Sequence, residues 1–306
     1  MARLLLVHAH PDDETLTSGI TMAHHVASGD EVHVLTCTLG EEGEVIPAHL
    51  AHLAGAEGDP LGPWRREELR EAMRRLGVAH AVLGEDPAGG VLSRYRDSGM
   101  AGMPSASHPR AFAGADVAEA AGLAAEHFRA VRPDVVLTYD EHGGYGHPDH
   151  IQARRVTLAA LARLTRDERP ARVFEILTPR SWAEEDRAWL REHVPPDSGL
   201  SVPGDDEPYP PSVVEDARVT HVVVDPSQVG AQARALEAHG TQLSVHDGYY
   251  HLSNLIAARL SGREAYARIK PATGAALRKP APRHTGAGAA AGPGAWTSGL
   301  VRETDG

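Results

Sequence analysis

The chain has 306 residues, 42% of them hydrophobic and 24% charged, an ordinary globular composition with length for one large domain or two modest ones. With 42 acidic against 30 basic residues the net charge is near −12, which argues against a general affinity for nucleic acid. The single cysteine, Cys37, has no internal disulfide partner, and no apolar run reaches the roughly 18 residues of a membrane span, so a cytoplasmic location away from membranes is expected.

In chain order, Leu4 to Val7 reads as a strand, too short for the apolar core of a signal peptide, and Glu14 to Ala27 as a helix. Glu31 to Thr38 reads as a strand, Arg65 to Leu76 as a helix and Ala79 to Leu83 as a strand. Val117 to Val131 reads as a helix that stops before Pro133, followed by a strand at Asp134 to Tyr139 and a helix at His150 to Leu164. Strands alternating with helices in this way predict an α/β fold: a Rossmann-like, mostly parallel sheet with helices on both faces.

Two long connections, Leu39 to Pro63 and Glu85 to Ala115, are rich in Gly, Pro and charge and exceed ordinary loop length. In such sheets ligands sit beyond the carboxyl ends of the strands, so these loops are expected to wall a site. After Arg172 the pattern weakens. It leaves a strand to Leu177, a polar insertion from Pro179 to Ala217, a strand at Val219 to Val224 and helical material from Gln228 to Ile269. The expected organisation is a catalytic α/β domain over 1–170, a smaller C-terminal region over 171–271 that completes the site, and a flexible Ala/Gly-rich tail over 272–306.

Two similar strings stand at strand-to-helix junctions: His10-Pro11-Asp12-Asp13-Glu14 and His147-Pro148-Asp149-His150. Pro and Asp suit the first turn of a helix, so both also read as well-capped helix starts. Capping does not require histidine, however, and about 0.1 His-Pro-Asp triplets are expected by chance even with 19 histidines. His10, Asp13 and His150 form a two-nitrogen, one-oxygen donor set that suits zinc with an open position, and Fe(II) as the second choice.

Asp12 then stands beside the ligands, free to take a proton from water, while His147 and Tyr145 can donate to an oxyanion or leaving group. His8 points to the same face as His10, either as support or as a plain buried histidine. The acidic loop Thr38-Leu39-Gly40-Glu41-Glu42-Gly43-Glu44 reads as a solvated turn near the site. Arg65, Arg94, Arg96 and Asp97 are candidates to hydrogen-bond a polyhydroxylated substrate, although each taken singly reads first as a surface charge. A nucleotide site is disfavoured because strand one lacks a Gly-x-Gly-x-x-Gly turn.

These residues resemble the PIG-L/LmbE-like zinc deacetylases, which remove acetyl groups from N-acetylglucosaminyl substrates. Ala9 to Glu14 resembles that family's first motif and Gly143 to His150 its second. Cys37 to Ile46, Arg65 to Leu69 and Arg96-Asp97-Ser98-Gly99-Met100 are similar to the mycothiol-biosynthesis branch. The resemblance implies His10, Asp13 and His150 as ligands and Asp12 as general base. It further implies that His147 and Tyr145 stabilise the transition state and that Arg65 and Asp97 contact the sugar and inositol. The expected partner is a small amino-sugar inositol. The sister amidases of mycothiol S-conjugates carry a lysine after the position of Glu14, where this chain has Thr15-Leu16-Thr17-Ser18-Gly19, which favours the deacetylase. The amidase, another N-acetylglucosaminyl deacetylase and a non-catalytic metal- or sugar-binding protein are the alternatives.

Overall fold

The computed structural model describes residues 1–271, 273–277 and 297–301. Its first half alternates β1 (Arg3–His8), α1 (Asp13–Ala27), β2 (Glu31–Thr36), α2 (Leu61–Leu76), β3 (Ala79–Val82), α3 (Val117–Val131) and β4 (Val135–Thr138). A one-turn helix α4 (Gly143–Gly146) then leads into α5 (Pro148–Ala162). The second half holds β5 (Arg172–Pro179), α6 (Arg180–His193), β6 (Val213–Val214), β7 (His221–Val224) and α7 (Val229–Leu236). Four strands follow: β8 (Leu243–Val245), β9 (Tyr249–Leu252), β10 (Ala257–Arg259) and β11 (Arg263–Ile269), with β12 (Thr297–Ser298) last.

The main sheet runs β12-β7-β11-β5-β4-β1-β2-β3, with β6 beside β5. Strands β1 to β5 are mutually parallel, Leu4 standing between Val32 and Val135, whereas β11 lies antiparallel between β5 and β7. Because β1 is covered on both faces its centre, Leu4 to Val7, is continuously apolar, not alternating. Leu4 and Leu6 pack with Ile20 and Met22 of α1, Leu69 and Met73 of α2 and Ala235 of α7. Leu5 and Val7 face the other way, onto Phe128 of α3 and Val156 of α5.

The α/β architecture is the one expected, and the strands and helices up to Leu164 fall within a few residues of their predicted places. The sheet, however, runs straight through the expected boundary at residue 170, since β4 pairs with β5. Two expectations fail. The polar insertion holds the helix α6, whose start is marked by Pro179 just before its first turn. The stretch 228–269, read as helical, contains α7, but its other regular elements are the strands β8 to β11 joined by turns. Arg263-Glu264-Ala265-Tyr266-Ala267 carries good helix formers, yet its backbone fills the gap between β5 and β7, and that pairing overrides propensity. Of the expected tail, Thr297–Ser298 pairs with β7 and Leu300 is buried, and the remainder lies largely outside the described residues. No described helix is long and apolar enough to cross a membrane.

The C-terminal half grips α1 closely. Glu264 accepts the backbone N–H groups of Ile20 and Thr21 at 2.9 and 2.8 Å, and Gln232 of α7 donates to the Thr15 carbonyl at 2.9 Å. At Gly19 a Cβ would lie 2.7 Å from Gln232 Cγ. Alanine there gains about 1 kcal/mol of helix propensity but overpacks a side chain already fixed by its own hydrogen bond, at a cost of about 1–3 kcal/mol. Gly19→Ala is therefore expected to lower the urea midpoint of unfolding with an unchanged m-value; a raised midpoint would contradict this contact.

Candidate metal centre and cleft

Strand β1 lies between β2 and β4, so the chain leaves it at the point where the strand order reverses, the usual crevice of such sheets. Residues 9–12 turn there into α1, and the corresponding turn after β4 leads through Gly143 to Gly146 into α5. That second turn depends on glycine. Gly143, Gly144 and Gly146 have φ of 61°, 74° and 94°, and a Cβ on Gly143 would lie 2.8 Å from the Ile151 backbone nitrogen. His147 caps α5, its Nδ1 accepting the Asp149 N–H at 3.2 Å, and Pro148 occupies the first turn.

The two turns bring His10, Asp13 and His150 together. His10 Nδ1 lies 3.2 Å from Asp13 Oδ2, His150 Nε2 lies 3.3 Å from the same oxygen, and the two nitrogens are 3.3 Å apart. A tetrahedral ion with arms of about 2.0 Å separates its ligands by about 3.3 Å, so this triangle has the dimensions of one face of such a site. The outer nitrogens are engaged elsewhere. His150 Nδ1 meets the Gly143 carbonyl at 3.1 Å, and His10 Nε2 meets Asp149 Oδ2 at 3.3 Å and Asp97 Oδ1 at 3.4 Å. N–H groups at those atoms leave lone pairs facing the triangle, the arrangement that orients histidine toward a metal.

Two other groupings come within 4.8 Å, His10 with His147 and His150, and His10 with Asp97 and Asp149. The second surrounds the outer nitrogen of His10, and Asp149 is already bound by the Ser98 N–H and hydroxyl at 2.8 and 2.6 Å. We assign it to supporting His10 and not to holding an ion of its own. The electrostatics favour a positive charge at the centre. Burial would lower His10, but Asp97, Asp13 and Asp149 raise it well above the usual histidine range. Asp13 is held well below the carboxylate range against burial by His150 and His10.

Sequence reasoning missed Tyr139. Its hydroxyl donates to Asp13 Oδ2 at 2.7 Å and accepts the Ala9 N–H at 2.9 Å, while its ring stacks on His150 with centroids 4.2 Å apart. It thus touches two of the three candidate ligands. His8 is buried and edge-on to Tyr139, its ring nitrogens without hydrogen bonds among the described residues.

Asp12 lies half-buried at the mouth of this centre with φ 114° and ψ −36°, a conformation that costs a non-glycine residue about 1–3 kcal/mol. Its carboxylate does not cap α1 and lines the cleft instead. Burial and the charge of Asp13 push it up to about 8, against the pull of His239 and Arg65, close to the working range of a group that takes and returns a proton near neutrality. His147 is pushed down to about 4 by burial and by His10 and His150, and is therefore a neutral ring at pH 7. Tyr145 is half-exposed on the cleft, its hydroxyl shifted upward by burial and by Asp13, so that it stays protonated.

The cleft measures about 920 Å³ and reaches from the metal centre to α6 and β11. Both long loops wall it. Arg65 donates to the carbonyls of Gly40 and Glu44 at 2.6 and 3.0 Å, and Asp97 accepts the Gly99 N–H at 2.8 Å. The acidic loop is not a solvated turn. Glu41 is buried and accepts the Asp97 N–H at 3.0 Å, while Glu42 pairs with Arg96, which also clasps Asp59 at 2.9 and 2.8 Å. Arg96 is thereby committed to joining the two loops, and Arg94 pairs with Glu119 on the surface at 2.7 Å.

The family model for GlcNAc-PI de-N-acetylases (PIG-L) matches residues 5–161, and the chain belongs to this family. It is 46% identical to a 1D-myo-inositol 2-acetamido-2-deoxy-alpha-D-glucopyranoside deacetylase of Streptomyces scabiei over 88% of this chain and 84% of that one. It is 45% identical to the protein of the same description from Thermomonospora curvata, over 90% and 93%. The crystal structure of the A40926 pseudoaglycone deacetylase Dbv21 shares the fold, with a TM-score of 0.52 and 19% identity over 92% of this chain and 99% of that one.

Tyr139→Phe removes the hydrogen bond to Asp13 but keeps the ring. It is expected to weaken metal binding about 10- to 100-fold in competition with a chromogenic chelator, and unchanged affinity would argue against the support assigned to Tyr139.

Proposed function

We propose that the protein is a zinc-dependent hydrolase that removes the N-acetyl group of N-acetylglucosaminyl-inositol, giving acetate and the free amine in mycothiol biosynthesis. The observation that carries this reading is the 3.2–3.3 Å triangle of His10, Asp13 and His150 with Asp12 beside it on the cleft. The description of the Streptomyces and Thermomonospora relatives supports the substrate. The lone Cys37, buried in the core, fits a reducing cytoplasm.

His10, Asp13 and His150 would hold the ion, which when bound supplies a Lewis acid for the acyl carbonyl and eases ionisation of water. Asp12 takes a proton from the water as its oxygen attacks the acetamide carbon. Tyr145 donates its hydroxyl proton as a hydrogen bond to the oxygen that gains negative charge. The C–N bond then breaks, and the amine leaves with the proton that Asp12 took from the water, while neutral His147, whose Nδ1 accepts from the backbone so that its N–H resides on Nε2, can hydrogen-bond the reacting group from that N–H. Arg65, on α2 and bound to the first loop, and Asp97, on the second loop, would orient the sugar and inositol hydroxyls.

Given the acetylated pseudodisaccharide, the purified protein is expected to release primary amine. Asp12→Ala should reduce that release about 10²- to 10⁴-fold while metal content stays unchanged, and near-normal turnover would exclude Asp12 as the base. Dialysis against a chelator should abolish release, with zinc or Fe(II) restoring it. Activity that survives metal removal would refute the metal-dependent reading. Presenting a thiol S-conjugate of the deacetylated, cysteinylated sugar in the same assay separates the amidase alternative, and metal binding without amine release from either would mark a binding protein.

A further inference from the structure

The Asp12 backbone is held on both sides: its carbonyl accepts the Thr15 and Leu16 N–H groups at 3.0 and 2.9 Å, and its N–H is bound by a side chain. A residue with a Cβ stays at φ 114° only where neighbouring groups fix it, and on the N–H side that group is Glu14. Glu14 Oε2 accepts the Asp12 N–H at 3.0 Å, and Oε1 accepts the Thr15 hydroxyl at 2.7 Å. The Glu14 carboxylate is wholly buried, and its remaining contact is His239 Nε2, 3.1 Å from Oε1.

His239, also wholly buried, follows α7 in the C-terminal half, 225 residues from Glu14. The segment that carries it is tied on several sides. Thr241 donates its N–H and hydroxyl to Glu68 of α2 at 2.8 and 2.7 Å, and its carbonyl accepts the Ile46 N–H at 2.9 Å. Gln242 lies 3.4 Å from His239 Nδ1 and lines the cleft. His239 is thus a fixed point against which Glu14 is held.

We infer that His239 is a positioning residue for the hydrolysis, holding the Glu14 carboxylate that in turn keeps the Asp12 backbone strained and its carboxylate on the cleft. The inference rests on the reading of Asp12 as the base. It is distinct from support of the metal centre, because the contacts that orient His10, Asp13 and His150 come from Tyr139, Asp149 and the Gly143 carbonyl. Losing His239 should therefore disturb the base and spare the ion.

The test compares metal-loaded His239→Leu, which cannot donate to Glu14, with His239→Gln, which retains an N–H near the position of Nε2. The leucine variant should lose kcat by roughly tenfold or more, with KM and chelator-measured metal affinity within about twofold of the parent, and the glutamine variant should recover most of the loss. His239→Asn, too short to reach Glu14, should behave as leucine does and serves if the leucine variant does not fold. A crystal structure of the leucine or asparagine variant should show Asp12 relaxed to negative φ with the ligand triangle intact. Unchanged kcat, parallel losses in kcat and metal affinity, or Asp12 still at positive φ would each overturn the inference. If the parent protein releases no amine, the functional reading fails, and the backbone of Asp12 in the variant crystals still decides the positioning role.

Discussion

One carboxylate oxygen, Asp13 Oδ2, is where the site converges. It receives the His10 backbone N–H at 2.9 Å and the Tyr139 hydroxyl at 2.7 Å, and it faces a ring nitrogen from each of two histidines. Those groups come from two stretches, residues 10–13 just after β1 and residues 139–150 just after β4. No local segment could bring them together; adjacency of β1 and β4 in the sheet does so, with Leu4, Leu5 and Leu6 in register with Val135, Val136 and Leu137. The buried strands are what bring these two distant stretches of chain together.

Around that point the polar groups form shells with separate tasks. Asp149 carries the outer nitrogen of His10 and is itself fixed by Ser98 of the second long loop, so the loop that walls the cleft also aligns a candidate ligand. Arg96 and Glu41 join that loop to the first one through buried contacts. Buried ionic groups at this density are stable only when each has a partner, and here the acids and bases satisfy one another across loops that look irregular in sequence.

Much of this was legible from the chain itself. The strand–helix alternation declared the fold, because strands covered on both faces carry unbroken apolar runs, and repetition of His-Pro-Asp at two strand ends marked where a centre would be. The supporting residues were not legible. Tyr139 reads as the last apolar residue of a strand, and nothing in its neighbours reveals that its hydroxyl turns toward Asp13. His239 sits in a polar turn among nineteen histidines. Its value comes from a partner at the far end of the chain, and such pairing leaves no periodic signal. Strands β10 and β11 were obscured for a related reason: alanine, arginine and glutamate favour helix locally, and only the open edges of neighbouring strands decide otherwise.

The long reach of His239 also orders events during synthesis. All three candidate ligands and their supports lie in the first 150 residues. The contact that holds Glu14 cannot exist until the α7 turn has emerged and docked between α1 and α2. On the proposed reading, alignment of Asp12 thus depends on a segment synthesised more than 200 residues after it, and the hydrolytic step waits on that docking.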